Sequence, residues 1–328
     1  MTQWYKGQLH AHANWGISSL GIPTTSPDRV VRWYREHDYN FVAITDLNYF
    51  TPTAGLASVF DAPGRFIVLQ GIELNHEYPT LGDTIVDTLG INVQHPITPP
   101  VGNVPSELLQ AQAEAITQAG GLAIAAHPNL TYAWGAGDIL ATDPNSGPKL
   151  FELWNAEPGM NPMGGGGRPS TEAIWDGILS AGRQFYGVAT DDSHHFNCRD
   201  FGIQYANPGR AWVMVYAPEL TPAALVTALS DGQFYASTGV ELELYTVSAA
   251  GIHITLSDRT TDLGWSNSGT NPQLYVTQFI GQNGAVLKVD ESLNPSYLFT
   301  GTELYVRAKI VNSDGHVAWT QPVFPPCP

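Results

Sequence analysis

The strongest constraint on this chain is a pattern met three times: a helical stretch, a break, then a short, largely apolar run. Residues 27–37 follow Ser26, an N-cap candidate with Asp28 in the first turn, and lead into the apolar run 41–45. Residues 105–119 read as a helix capped by Ser106 and stopped by Gly120 and Gly121, ahead of the run 122–126. Residues 171–181 repeat the unit with Ser170 as cap and Gly182 as stop, before the run 184–189. Further strands are expected at 66–69 and 150–154, and a last helix at 221–230, where Pro222 sits in a first turn. Helix feeding buried strand, repeated, specifies β-α alternation from Trp4 to about Tyr235.

After Gly239 the period changes. Alternating runs at 241–247, 251–256, 274–280 and 303–311 are separated by Gly, Asn, Ser and Asp turns, which predicts a small all-β sandwich. The expected division is residues 1–236 and residues 237–328, two cores in a chain of 328 residues that is 43% hydrophobic.

Charge narrows the partners. With 30 acidic and 14 basic side chains the formal charge is −16, so a phosphate backbone would be bound against the overall field, and nucleic acid is not expected as a partner. The chain holds no apolar run of 18 residues, so no membrane span is expected. No basic region followed by an apolar one precedes His10, so no signal peptide is expected in these residues; export with a trimmed leader is compatible with the composition. Cys198 and Cys327 do not make a disulfide framework, so any metal must be held by His and carboxylate. The run Gly164 to Gly167 lacks the Gly-Lys-Ser/Thr ending of a phosphate-binding loop and reads as a surface loop.

Several histidines fall at the ends of expected strands. His10 and His12 are two apart, so both imidazoles point to one face and can share a metal; two surface histidines are the bland reading. Glu73 follows the run 66–69 and could chelate or bridge cations, or make a surface salt bridge. His127 ends the run 122–126 and is fixed there by Pro128, as a ligand or as a hydrogen-bonded core histidine. Asp192 and His194 place a carboxylate and an imidazole two residues apart, with a turn as the alternative; His195 faces elsewhere. Together these groups suit Zn, Mn or Fe, and such a site activates water and polarises an ester oxygen. Arg168 and Arg199 are substrate-contact candidates, with ordinary solvated arginines as the other reading.

The ordered motifs Leu9-His10-Ala11-His12, Ile44-Thr45-Asp46, Gly71-Ile72-Glu73, Ala126-His127-Pro128 and Asp192-Ser193-His194 resemble the PHP (polymerase and histidinol phosphatase) superfamily over residues 7 to about 235. Residues 30–34 leading into 41–48, Phe234 to Gly239, and Ala318-Trp319-Thr320-Gln321-Pro322 look like its CehA/McbA-type branch. The resemblance implies an α/β fold, a distorted seven-stranded β/α barrel followed by the β sandwich, and hydrolysis of phosphoesters, or of a carbamate ester in the carbaryl-hydrolase branch. By motif, His10, His12, Glu73 and Asp192 match one metal site, and Glu73 with His127 contributes to a second.

The chain also departs from that pattern. Leu47 stands where the family reads Thr-Asp-His, and Trp15, Gly16 and Ile17 occupy the region of a usual acidic or His residue. The histidine expected before a Leu-Gly pair is missing: Asp83 and Asp87 precede Leu89-Gly90, and His76 lies earlier, so any of the three is open as the completing ligand. The expectation is one or two divalent cations, with Asp192 orienting water and His194 donating a proton or holding substrate. With fewer cations the expected small-molecule substrate is a phosphodiester or other less charged ester rather than a monoester. Alternatives are a carboxyl-ester or carbamate hydrolase on the same metals, and a non-catalytic binding protein whose surface uses Trp265, Tyr275 and Trp319.

Overall fold

The computed structural model describes residues 2–13, 25–75, 84–197, 202–256 and 274–325. The expectations for Trp15, Gly16, Ile17, His76, Asp83, Cys198, Arg199, Trp265 and Cys327 lie outside these residues.

In chain order the first half runs β1 (Gln3–Gln8), α1 (Pro27–Glu36), β2 (Phe41–Ile44), α2 (Ala54–Phe60), β3 (Ile67–Asn75), β4 (Asp87–Ile91), α3 (Pro105–Gln118) and β5 (Leu122–Ala125). It continues with α4 (Ala136–Ala141), β6 (Leu150–Asn155), α5 (Thr171–Ser180), β7 (Tyr186–Thr190), β8 (Trp212–Ala217), α6 (Pro222–Ser230) and β9 (Phe234–Ser237). The remainder is almost all β: β10 (Leu242–Ser248), β11 (Gly251–Leu256), β12 (Tyr275–Gly281), β13 (Ala285–Asp290), β14 (Ser296–Leu298), β15 (Arg307–Asn312) and β16 (Val317–Thr320).

The three helix-strand units form where the apolar runs predict them, because α1, α3 and α5 each bury one face against the following strands. Capping differs in detail. Ser170 accepts a bond from the Ala173 amide, 3.1 Å away, whereas the Ser26 side chain caps nothing and Ser106 lies inside α3, whose N-cap is Val104. In both of those helices proline fills the first turn, where its missing N–H costs nothing.

Thirteen strands form one sheet in the order β13-β12-β15-β16-β9-β8-β1-β2-β3-β4-β5-β6-β7. The strands do not close the expected seven-stranded barrel. β1 has β2 on one edge and antiparallel β8 on the other, so β7 reaches it only through the isolated bridge Ala11–Ser193. The free edge of β7 is met instead by a side chain: Gln321 accepts from the Gly187 amide and donates to its carbonyl, both at 2.9 Å, as a paired strand would. β3–β4–β5 is antiparallel, a departure from β-α alternation that no local signal in the sequence announces.

The sheet runs unbroken past residue 236, which falls inside β9, because β9 pairs β8 on one side and β16 on the other. A second sheet, β10-β11-β14, packs Leu242, Ile254 and Leu256 against Tyr275, Phe279 and Ile310 of the long sheet. Tyr275 and Trp319, candidates for a binding surface on sequence grounds, are 5% and 1% exposed and belong to apolar clusters. Their alternation in the strands points them inward.

A polar cluster joins α5 to the C-terminal strands. Arg307 on β15, 1% exposed, donates from Nε and Nη2 to both oxygens of Asp176 at 2.9 and 2.8 Å and lies over the Trp175 ring. Tyr305 donates to the same carboxylate at 2.8 Å. Removing one member of a buried pair strands the other, so Arg307→Ala is expected to cost about 3 to 5 kcal/mol in urea denaturation. Lys309→Ala, whose partner Glu172 and own ammonium are each about a fifth exposed, should cost no more than about 1 kcal/mol. Equal losses in the two variants would show that burial of this pair carries no special weight.

Candidate metal centre

Strand direction brings the sequence-predicted residues together. β1, β2, β3, β5, β6 and β7 point the same way and β4 points back, so the ends of six strands and the start of β4 share one rim. His10 and His12 follow β1, Glu73 lies within β3 rather than beyond its end, and His127 and Asp192 follow β5 and β7. Asp87, one of the three residues left open by the sequence, begins β4 at this rim.

Side chains from these five segments converge. His10 Nε2 and His12 Nε2 are 3.0 Å apart. His10 Nε2 is 3.4 Å from Glu73 Oε1 and 3.3 Å from Asp192 Oδ1, and His12 Nε2 is 3.1 Å from Asp192 Oδ1. His127 Nε2 is 3.1 Å from Glu73 Oε1 and 3.5 Å from Asp87 Oδ2. Three triads overlap, with donor atoms within 4.8 Å of one another in each: His10-His12-Glu73, His12-Asp192-His194 and Glu73-Asp87-His127. His194 stacks on His12 with ring centroids 4.4 Å apart, while His195 packs against Tyr205. Exposure is 4% or less for every triad residue except His194, whose side chain is 12% exposed.

Sequence reasoning missed Glu152, which is wholly buried in β6. Its Oε1 lies 2.7 Å from His10 Nδ1 and accepts from Thr190 Oγ1, and its Oε2 accepts from the His127 amide and Asn155 Nδ2 at 2.9 and 2.8 Å. With Nδ1 donating to Glu152, His10 presents the Nε2 lone pair to the centre. The signal available for Glu152 was a lone acid inside the apolar run 150–154, which names no partner. Gln8 also escaped notice; its Oε1 accepts from the amides of Leu9 and His10 and holds the turn that carries the histidine.

The supporting acids divide cleanly. Asp46 accepts from the Ala13 amide at 2.6 Å and from the Thr51 hydroxyl, bracing the chain after His12. Asp191 points away from Asp192, accepting from the amides of Gly209, Arg210 and Ala211 and from the Tyr34 hydroxyl. Leu47 makes an isolated parallel backbone bridge with Glu73. Gly71 admits no side chain, since a Cβ there would sit 2.8 Å from the Ile44 carbonyl oxygen of β2. His127 and Asp192 hold positive φ, 22° and 49°, uncommon for residues bearing a Cβ and found where a side chain is aimed against backbone preference. Arg168 stands exposed over the Tyr132 ring, away from the cluster contacts.

The electrostatics follow from burial, with no Lys or Arg among the cluster contacts of the described residues. Burial lowers the His10 and His127 imidazoles, but the surrounding carboxylates outweigh it: Asp192, Glu152 and Glu73 hold His10 well above its usual value, and Glu73 and Asp87 hold His127 at about 10. Burial would raise Glu73 and Asp192, yet the histidines keep both well below the carboxylate range. Asp87 is pushed up to about 8 by burial and by the Glu73 charge. Burial and the neighbouring His12 and His10 lower His194 to about 3.

The donor set fits divalent cations. Imidazole nitrogens face one another and carboxylate oxygens at contact distance in a buried pocket, an arrangement that N/O ligation by Zn, Mn or Fe satisfies. His10, His12, Glu73, Asp87, His127, Asp192 and His194 would hold them, with Glu73 able to bridge.

No family model matches the chain, and no curated protein does. Among solved structures it is similar to a two-domain protein from Bacteroides vulgatus that contains a predicted PHP-like metal-dependent phosphoesterase. The TM-score is 0.50 at 12% identity, over 98% of this chain and 96% of that one. At that identity the likeness is one of fold: a mixed α/β architecture shared with a two-domain, PHP-like protein.

Because Glu152 orients His10 without being one of the converging donors, Glu152→Gln should weaken Zn or Mn binding about 10- to 100-fold. Competition against a chromogenic chelator measures this, with circular dichroism confirming the fold. An unchanged affinity would remove Glu152 from the centre.

Proposed function

We propose that this protein is a metal-dependent hydrolase that cleaves phosphoesters, with a preference for diesters over monoesters. The observation that carries the reading is the convergence of three overlapping His/carboxylate triads on strand ends. The fold shared with the Bacteroides vulgatus protein, and the ordered motifs that resemble the CehA/McbA-type branch of the PHP superfamily, support the same class.

Divalent cations bound here would supply an activated water and a Lewis acid for the ester oxygen. The chain supplies the rest. Glu73 and Asp192 place their oxygens between the histidines, and Asp192 orients an attacking water while Asn155, donating 3.1 Å to its other oxygen, fixes the carboxylate plane. His194, the most open of the set, is a ligand with His12 and Asp192, or donates a proton or holds substrate.

Charge supports the diester preference. Two divalent cations would be held among the buried carboxyl groups of Glu73, Asp87, Glu152 and Asp192, and no Lys or Arg side chain joins the contacts of that group among the described residues. A centre so rich in carboxyl groups suits a monoanion better than a phosphomonoester dianion. We further propose that residues 1–236 carry this chemistry and that residues 237–328 form an accessory β domain.

Elemental analysis of purified protein should find one or two Zn, Mn or Fe per chain. Bis(4-nitrophenyl) phosphate should be hydrolysed faster than 4-nitrophenyl phosphate, and Asp192→Ala should reduce turnover by at least about a thousandfold. Absence of metal and of turnover after reconstitution with Zn and Mn would reject the hydrolase, and faster cleavage of 4-nitrophenyl acetate than of either phosphate would make it a carboxylesterase.

A further inference from the structure

Beside the metal centre lies a groove of about 360 Å³ to which the C-terminal strands contribute side chains. It is lined by Trp154 and Asn155 at the end of β6, by Glu157 and Arg210, and by Thr238 and His316. Asn155 belongs to both places, lining the groove while its Nδ2 donates to Asp192 at 3.1 Å and to Glu152 at 2.8 Å. Asn155 is thus the residue common to the groove lining and to the carboxylates of the cluster.

The walls are fixed in place by their own contacts. Glu157 donates its amide to Asn155 Oδ1 at 2.9 Å and accepts from the Gly159 amide at 2.6 Å. Arg210 is anchored through Nη2, which donates to the Gly202 carbonyl at 2.5 Å and to the Asn207 side chain at 3.0 Å, and no hydrogen bond from its Nε or Nη1 occurs among the described residues. Trp154 stacks on buried Trp319, ring centroids 5.6 Å apart. His316 is seated against Gly239, where any Cβ would come 2.6 Å from the imidazole; the positive φ of 152° there also suits glycine.

We infer that this groove is the specificity subsite of the proposed hydrolase and receives a neutral, hydroxyl-rich alcohol moiety of the substrate, a polyol or sugar ring. The inference rests on the hydrolase reading for its link to turnover, and on the groove's chemistry for its ligand. Glu157 and Arg210 bring opposite charges to the groove lining, so a strongly anionic group would be drawn by one and repelled by the other. Hydroxyls donate to the carboxylate and accept from the guanidinium at once. His316 adds a further polar group, and the indole of Trp154, stacked on Trp319 on one side, adds apolar ring surface to the lining for a sugar's C–H side. An aryl group of the same size would dry these polar atoms without pairing them.

The test compares two synthetic diesters, 4-nitrophenyl methyl phosphate and 4-nitrophenyl glucos-6-yl phosphate. Wild type should prefer the glucosyl diester by at least about tenfold in kcat/KM, and Glu157→Gln with His316→Ala should bring that ratio toward one. A ratio near one in wild type, or a ratio the double variant leaves intact, overturns the subsite while the hydrolase stands. If neither diester is turned over, the hydrolase reading fails and calorimetric titration with methyl glucos-6-yl phosphate decides the groove alone. Binding weakened about fivefold or more by the double variant upholds it; no binding, or binding the variant does not weaken, overturns it.

Discussion

The centre depends on one electrostatic constraint: four carboxylates are buried beside four imidazoles, with no Lys or Arg among the described residues in contact with them. Water cannot stabilise these charges, so each must be balanced by its neighbours or by a bound cation. The shifts in opposite directions at Glu73 and Asp87, two carboxylates on paired strands, are what this crowding produces. The fold serves that constraint by bringing strand ends to one rim and by burying every donor residue there more deeply than His194.

What could be read in the sequence is what short-range pattern encodes. His10 and His12 share a face because they are two apart, and His127 closes an apolar run that forms a buried strand. Asp192 and His194 follow the same rule, and all of these side chains meet in space. Glu152 was not legible because its neighbours in 150–154 make it look like part of a core strand, and its meaning comes from His10, 142 residues away. Asp87 was one of three open candidates because its place depends on β4 running backwards, a pairing fixed by strands distant in the chain.

The architecture shows the same boundary between local and distant information. Helix-strand units were evident from apolar runs and stops, and the turn-rich β pattern after Gly239 formed strands. The closed seven-stranded barrel did not form, because β8 takes the edge of β1 and Gln321 takes the backbone of Gly187. Neither partner is near its target in sequence. The aromatic residues Tyr275 and Trp319 illustrate the converse, since alternation alone could not say which face of each strand was covered.

The pairing of Gln321 with Gly187 also bears on the order in which the molecule is made. Gly187 lies in the strand that ends just before Asp192, and its amide and carbonyl are met by a side chain 134 residues further on. During synthesis the strand bearing Asp192 therefore emerges long before its last partner. A nascent chain halted between residues 194 and 321 already holds every donor of the centre, yet the strand edge leading to Asp192 still lacks its cover. That edge is completed only once the C-terminal strands have been made and have folded back onto it.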